Sequence, residues 1–137
     1  MILFVEDDPN DADLTMRSLR KAGLTARVRH FPDGDEALDW LLPEEGGAPP
    51  PLPAVVILDW KLPRVSGLEV LRRIRSSERT RRLPVVVLTS SREERDVAAA
   101  YDNGANSYVA KPIDPEEFQV AARDLGVYWM LRNEKPA

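Results

Sequence analysis

Five short apolar runs, separated by stretches with helical spacing, constrain this chain more than any other feature. They cover residues 2–5, 26–31, 54–58, 85–88 and 107–110. They are rich in Val, Ile and Leu, and most show no alternation, which suits strands covered on both faces of a parallel sheet. The intervening helices are expected over about residues 11–22, 33–42, 67–76, 93–103 and 115–132. Gly23 and Gly104 serve as stop signals, and Pro43 closes the second helix. Asp114 followed by Pro115 is an N-cap with proline in the first helical position. Strict alternation of strand and helix implies right-handed βα units. Five units predict an α/β fold, a doubly wound five-stranded parallel sheet in the order 2-1-3-4-5. The 137 residues then form one domain, with no room for a second.

Bulk chemistry narrows the function classes. Hydrophobic residues make up 43% of the chain, enough for a proper core. The net charge of −4 is spread along the sequence, which argues against a nucleic-acid binder with its concentrated basic stripe. The absence of cysteine excludes disulfides and thiolate metal sites. No apolar run reaches the length of a membrane span, about 18 residues, and no signal peptide pattern opens the chain. The expectation is a cytoplasmic protein without membrane contact. The chain begins directly in a strand-like run, so its natural start could lie upstream.

In the expected topology, four strands deliver their C-terminal residues to one edge. Strand 1 is followed by Glu6, Asp7 and Asp8, strand 3 by Asp59, strand 4 by Thr89 and Ser90, and strand 5 by Lys111 and Pro112. Two like charges about 4 Å apart repel by roughly 4 kcal/mol at an effective dielectric of 20. Lys111 neutralises one carboxylate, and the remainder calls for a metal. An all-oxygen set selects a hard cation, Mg²⁺ ahead of Ca²⁺. Mg²⁺ retains waters and takes one or two protein carboxylates beside a phosphate oxygen, which suits phosphoryl transfer. Acids after strands also cap helices, and that is the favoured reading for Asp8 taken alone. Lys111 by itself would be a routine surface lysine; its place at the mouth of this crevice makes it functional.

Four segments, "ILFVEDD", "VVILDWKLPRVSG", "VVVLTSS" and "NSYVAKPID", resemble in order and spacing the signature blocks of response-regulator receiver domains. The resemblance covers nearly the whole chain. It implies a CheY-like fold in which Asp59 is the phosphoacceptor for a phosphoryl group carried by a sensor histidine kinase. Glu6 and Asp7 would be the acidic pair, with Asp7, Asp59 and the main-chain carbonyl of Lys61 as Mg²⁺ ligands. Lys111 would pair with Asp59 and then with the phosphoryl oxygens. Thr89 would donate its hydroxyl to the phosphoryl group, Tyr108 would be the aromatic switch that follows it, and the Lys111–Pro112 bond would be cis. Lys61 and Ser91, two beyond Asp59 and Thr89, would set the lifetime of the acyl phosphate, Lys61 by contacting the phosphoryl group or an acid. The "PNDADL" segment, the insertion before strand 3 and the "LGVYWMLRNEKP" ending are similar to single-domain regulators paired with bacterial and cyanobacterial phytochromes. That implies a red-light-sensing histidine kinase, or one with phosphatase activity, as partner.

Two segments stand outside these blocks. "PEEGGAPPPLP", residues 43–53, is a loop of polyproline character placed away from the strands' C-terminal ends, a passive connector in preference to a partner-binding segment. On helix 5, Phe118, Ala121, Ala122, Leu125, Tyr128 and Trp129 chart as the core stripe. Val120, Val127 and Leu131 fall on the opposite side. Stray surface apolar residues are common, but three aligned near Tyr128 suggest a partner surface, a symmetric homodimer through helix 5 extended by strand 5.

Other functions share parts of this pattern. A haloacid-dehalogenase-like phosphatase needs a second aspartate two positions after the first, where this chain has Lys61. A flavodoxin-type cofactor binder needs a Gly, Ser or Thr-rich phosphate loop after strand 1, where this chain has "EDDPND". A degenerate receiver acting only as a binding module conflicts with the intact set of acids, threonine and lysine. With only a few residues after helix 5, no output domain is expected in this chain. The signal would leave by a surface change, or the protein would act as a phosphate sink or carrier.

Overall fold

The computed structural model describes residues 1–24 and 27–136. The element order is β1 (Ile2–Val5), α1 (Pro9–Lys21), β2 (Val28–Phe31), α2 (Gly34–Leu41) and β3 (Val55–Leu58). It continues with α3 (Gly67–Ser76), β4 (Val85–Thr89), α4 (Glu94–Asp102), β5 (Ser107–Ala110) and α5 (Pro115–Val127), ending in a π-helical turn at Tyr128–Arg132. All strand pairs are parallel and the sheet order is β2-β1-β3-β4-β5, as the alternation predicts. Ala26, expected to open strand 2, lies outside the described residues.

Every residue of β1, β3 and β4 is buried, which explains their unbroken apolar sequence. Side chains of successive residues point to opposite faces. Leu3, Val5, Val56, Leu58, Val85 and Val87 pack with α2, α3 and α4. Ile2, Phe4, Val55, Ile57, Val86 and Leu88 pack with α1 and α5. Each fully buried Val, Leu or Ile contributes about 1.5–3 kcal/mol, so the three central strands form a rigid platform. The outer strands β2 and β5 are only partly covered.

Helix starts follow their caps. The Asp8 carboxylate accepts from the Asn10 and Asp11 N–H groups at 2.8 and 3.0 Å, so α1 begins at Pro9. Asp33, Ser66 and Asp114 cap α2, α3 and α5 in the same way. The insertion runs over the N-terminal end of the sheet, where Arg79 donates to the Pro50 carbonyl.

The face of α5 differs from the helical chart. Its buried residues are Phe118, Ala122 and Gly126, an i, i+4, i+8 series. A Cβ at Gly126 would lie 2.5 Å from Leu19 Cδ2, so this glycine lets α5 approach α1. The chain then widens into the π turn, where the Asn133 N–H reaches the Tyr128 carbonyl at 2.8 Å. Together these rotate the last residues. Tyr128, expected on the core stripe, is exposed, while Val127, expected on the outward face, is half-buried against the α1/α5 cluster. Val120 and Leu131 are exposed as expected.

Candidate functional site

Register places the site. Val5 pairs with Leu58 and Thr89 with Ala110. One residue further on, Glu6 emerges beside Asp59, and Lys111 beside Thr89, whose carbonyl accepts from the Lys111 N–H at 2.7 Å. Glu6, Asp59, Thr89 and Lys111 are all buried, whereas Asp7 is exposed at the mouth of the crevice. The turn after Asp59 is held tightly. A Cβ on Gly67 would lie 2.4 Å from the Asp59 carbonyl oxygen, so only glycine lets α3 start so close to the acid.

The Lys111 ammonium donates to Glu6 Oε1 at 2.6 Å, Asp11 Oδ2 at 2.8 Å and Asp59 Oδ2 at 3.2 Å. The Lys61 N–H donates to Asp59 Oδ1 at 3.2 Å. Burial pushes the Glu6 carboxyl up to about 8, reinforced by its hydrogen bond and repulsion with Asp59 and opposed by Lys111. Burial also acts to raise Asp59. The Glu6 hydrogen bond, the Lys111 charge, the Thr89 hydroxyl and the Lys61 N–H outweigh it, so Asp59 lies below the ordinary carboxylate value. Lys111 is desolvated too, but Asp11, Glu6 and Asp59 hold its pKa above that of a free lysine. Thr89 Oγ1 lies near enough to favour the Asp59 carboxylate but outside hydrogen-bonding geometry. It is the one buried side-chain polar atom without a partner among the described residues.

Carboxylate oxygens of Glu6, Asp7 and Asp59 lie within 4.8 Å of one another. All three are hard oxygen donors, and their one ammonium is shared with a fourth acid, Asp11. Glu6 retains its proton to above neutrality because burial and the neighbouring Asp59 carboxylate outweigh Lys111. The cluster therefore fits a small, hard divalent cation.

Residues 2–123 match the model of the response regulator receiver domain. The chain belongs to the response-regulator receiver family. Receivers take phosphoryl groups from histidine kinases in two-component signalling. Over its sequence this receiver is 43% identical to the probable methanogenesis regulatory protein FilR2 of Methanothrix harundinacea, covering 99% of this chain and 87% of the relative. It superposes on the phosphorylated cyanobacterial phytochrome response regulator RcpA with a TM-score of 0.90 and 31% identity, covering 99% and 97% of the two chains. For the bacteriophytochrome response regulator RtBRR the TM-score is 0.74 and the identity 47%, covering 98% and 82%. The response regulator Rcp1, 31% identical with a TM-score of 0.87 over 99% and 98% of the chains, has been crystallised in a Mn²⁺-bound form. This chain is thus homologous to phytochrome response regulators, and divalent metal is found in its relatives.

Beyond Asp59 the receiver carries a second polar chain. The Lys61 ammonium lies 3.1 Å from Asp96 Oδ2 on α4, so Lys61 does contact an acid. The Ser91 hydroxyl donates to the same Asp96 oxygen, and the Tyr108 hydroxyl donates to the Ser91 carbonyl at 2.9 Å. The hydrogen bond from Ser91 and the Lys61 charge hold the Asp96 carboxyl below its ordinary value despite desolvation. Lys61 sits where a dehalogenase-like phosphatase needs a carboxylic acid, so that reaction lacks its proton donor here.

One expectation fails. Lys111–Pro112 is trans, since no cis peptide bond occurs among the described residues. The two X–Pro isomers differ by only about 0.5–1 kcal/mol, so the motif alone does not decide between them. Two acids were missed. Asp11 reads as an ordinary first-turn acid of α1, and only its place four residues before Thr15, a buried residue of that helix, hints that it faces inward. Asp96 is hidden in "SREERD", although it lies four residues before the buried Ala100 and so shares its inward face.

Proposed function

We propose that this protein is a response regulator that accepts a phosphoryl group on Asp59 from the phosphohistidine of a sensor histidine kinase, with Mg²⁺ as cofactor. The observation that carries this reading is the setting of Asp59, a buried carboxylate kept ionised beside an ammonium and an unpartnered hydroxyl. A carboxylate is a competent nucleophile for an acyl phosphate. An Asp59 oxygen attacks phosphorus, the new O–P bond forms, the N–P bond breaks, and the imidazole nitrogen keeps the electron pair. Later, water attacks phosphorus and the O–P bond breaks. This returns the Asp59 carboxylate and releases inorganic phosphate, a self-limiting cycle distinct from enzyme turnover.

Glu6, Asp7, Asp59 and the Lys61 carbonyl would hold Mg²⁺, which supplies charge neutralisation and orientation for the phosphoryl oxygens. Lys111 stabilises the same oxygens as a fixed cation. Thr89 donates its free hydroxyl to the phosphoryl group, a contact that exists only in the phosphorylated state and so biases the conformation. Tyr108 responds to that movement, and Lys61 and Ser91 govern how long the acyl phosphate lasts.

The partner is a phytochrome-type histidine kinase in the cytoplasm, a reading supported by the 47% identity to RtBRR and the close superposition on RcpA. The chain forms a symmetric homodimer through α5 and the π turn that follows it, where Val120, Tyr128 and Leu131 are 47%, 51% and 60% exposed, with Val127 at the margin and β5 alongside. Incubation with a phytochrome kinase and ATP, followed by borohydride reduction and peptide mapping, is expected to place the label on Asp59. Label elsewhere, or none with any histidine kinase, would overturn the reading. Analytical ultracentrifugation is expected to give a dimer at tens of micromolar, and a monomer would remove the α5 interface.

A further inference from the structure

Lys61 has two potential partners, and the structure shows it bound to only one. Its main-chain N–H is 3.2 Å from Asp59 Oδ1, yet its ammonium is turned away to Asp96 at 3.1 Å. A lysine ammonium rides on a flexible four-carbon stem, so a rotation of that stem brings it to a group attached to Asp59. The Lys61 side chain is 53% exposed and free to move, while the Asp96 side chain is 12% exposed and fixed. Asp96 is anchored because the same Oδ2 takes the Ser91 hydroxyl, and because it lies in the first turn of α4, where the helix dipole favours a carboxylate.

We propose that Asp96 is a positioning residue that parks the Lys61 ammonium on α4 in the unphosphorylated chain, and that a phosphoryl group on Asp59 competes with it for Lys61. This rests on the phosphoacceptor reading of Asp59 and adds a second connection from that site to α4. A ligand shifts a two-state element only by its differential contacts. The phosphoryl group brings negative charge that Lys61 can follow, and Asp96 opposes the move. When Lys61 leaves, Asp96 keeps only Ser91. Ser91 holds both ends of the region next to it: its hydroxyl accepts from the Glu93 N–H at the start of α4, and its carbonyl accepts from the Tyr108 hydroxyl. α4 has no side-chain cap at Glu93 to hold that turn independently. The loss of Lys61 from Asp96 is therefore transmitted to the α4 N-terminus and to the anchor of Tyr108.

The test is titration with beryllium fluoride in saturating Mg²⁺, followed by tryptophan fluorescence, since the buried Trp60 adjoins Asp59. The proteins are wild type, Asp96→Asn, Lys61→Gln and the double variant. Asp96→Asn is expected to tighten binding about two- to fivefold, the factor a half-exposed ion pair supplies. Lys61→Gln is expected to weaken it, and the double variant to match Lys61→Gln. Unchanged or weaker binding by Asp96→Asn overturns the inference, as does a gain that persists when Lys61 is Gln. Asp96→Ser carries the same expectation and replaces the Asn variant if melting curves show that variant unfolded. Wild type that fails to bind beryllium fluoride overturns the phosphoacceptor reading itself. Wild type that binds, with Asp96→Asn indistinguishable from it, overturns the parking role alone.

Discussion

At the N-terminal end of the sheet, the Arg75 guanidinium donates five hydrogen bonds: two to the Gly104 carbonyl, one each to those of Arg81 and Leu83, and one to Asn106 Oδ1. At the C-terminal end, Lys111 is divided among three carboxylates, Glu6 is forced to keep its proton, and the Thr89 hydroxyl has no partner. Both ends draw charge into the protein. At the arginine end every donor is spent on fixed oxygens of the loops that precede β4 and β5, so the charge acts as a brace. The acid end is left with surplus negative charge and an idle donor, which is what a cation and a phosphoryl group would complete.

The contrast is broken most severely by removing the acceptor. Asp59→Asn is expected to cut phosphoryl incorporation by more than ~100-fold, with stability changed little, because Lys111 keeps Glu6 and Asp11 as partners when the Asp59 charge is lost. Phosphoprotein gels and urea melts together check this; a large loss of stability would mean that Asp59 is a brace like Arg75. Next is Arg75→Ala, which frees one part-buried oxygen, that of Leu83, and several exposed ones, and is expected to cost about 1–2 kcal/mol in urea unfolding. Phosphorylation per folded molecule should be retained.

Mg²⁺ sharpens the comparison from the acid end. Ligand at 100 times its dissociation constant stabilises by about 2.7 kcal/mol. The pH dependence follows from Glu6, whose carboxyl is raised from 4.5 to about 8 in the folded chain. Between these values the native state binds the extra proton, so metal-free stability is fully present below the lower value and falls as pH rises towards the upper. Thermal melts should show that decline, and Mg²⁺ should flatten it by replacing the proton as counter-charge. The smallest effect is expected from Thr89→Val, which removes an unpaired hydroxyl at nearly constant shape. Its stability should change by under ~1 kcal/mol, while the Tyr108 response to phosphorylation, read by near-ultraviolet circular dichroism, is lost.

Much of this was legible in the sequence because it depends on local pattern. Runs such as "VVIL" fix the central strands, strict βα alternation fixes the order of the sheet, and the residue after each run fixes which side chains meet at the C-terminal edge. What was not legible depends on how neighbouring elements approach. Gly126 sets the distance of α5 from α1, and with the π turn this places Tyr128 outside and Val127 partly inside. Asp11 and Asp96 find their lysines across 100 and 35 positions of chain, and no short motif records that. The trans geometry at Pro112 hangs on a small energy difference that a tetrapeptide does not reveal.

The most direct test of the central claim is a crystal structure with Mg²⁺ and beryllium fluoride. The account predicts the fluoride species on an Asp59 oxygen, the cation between it and Glu6 and Asp7, Lys111 and the Thr89 hydroxyl on its fluorines, and Lys61 released from Asp96. Clear density for an unmodified Asp59 still bound only to Lys111 at saturating concentrations of both would contradict it.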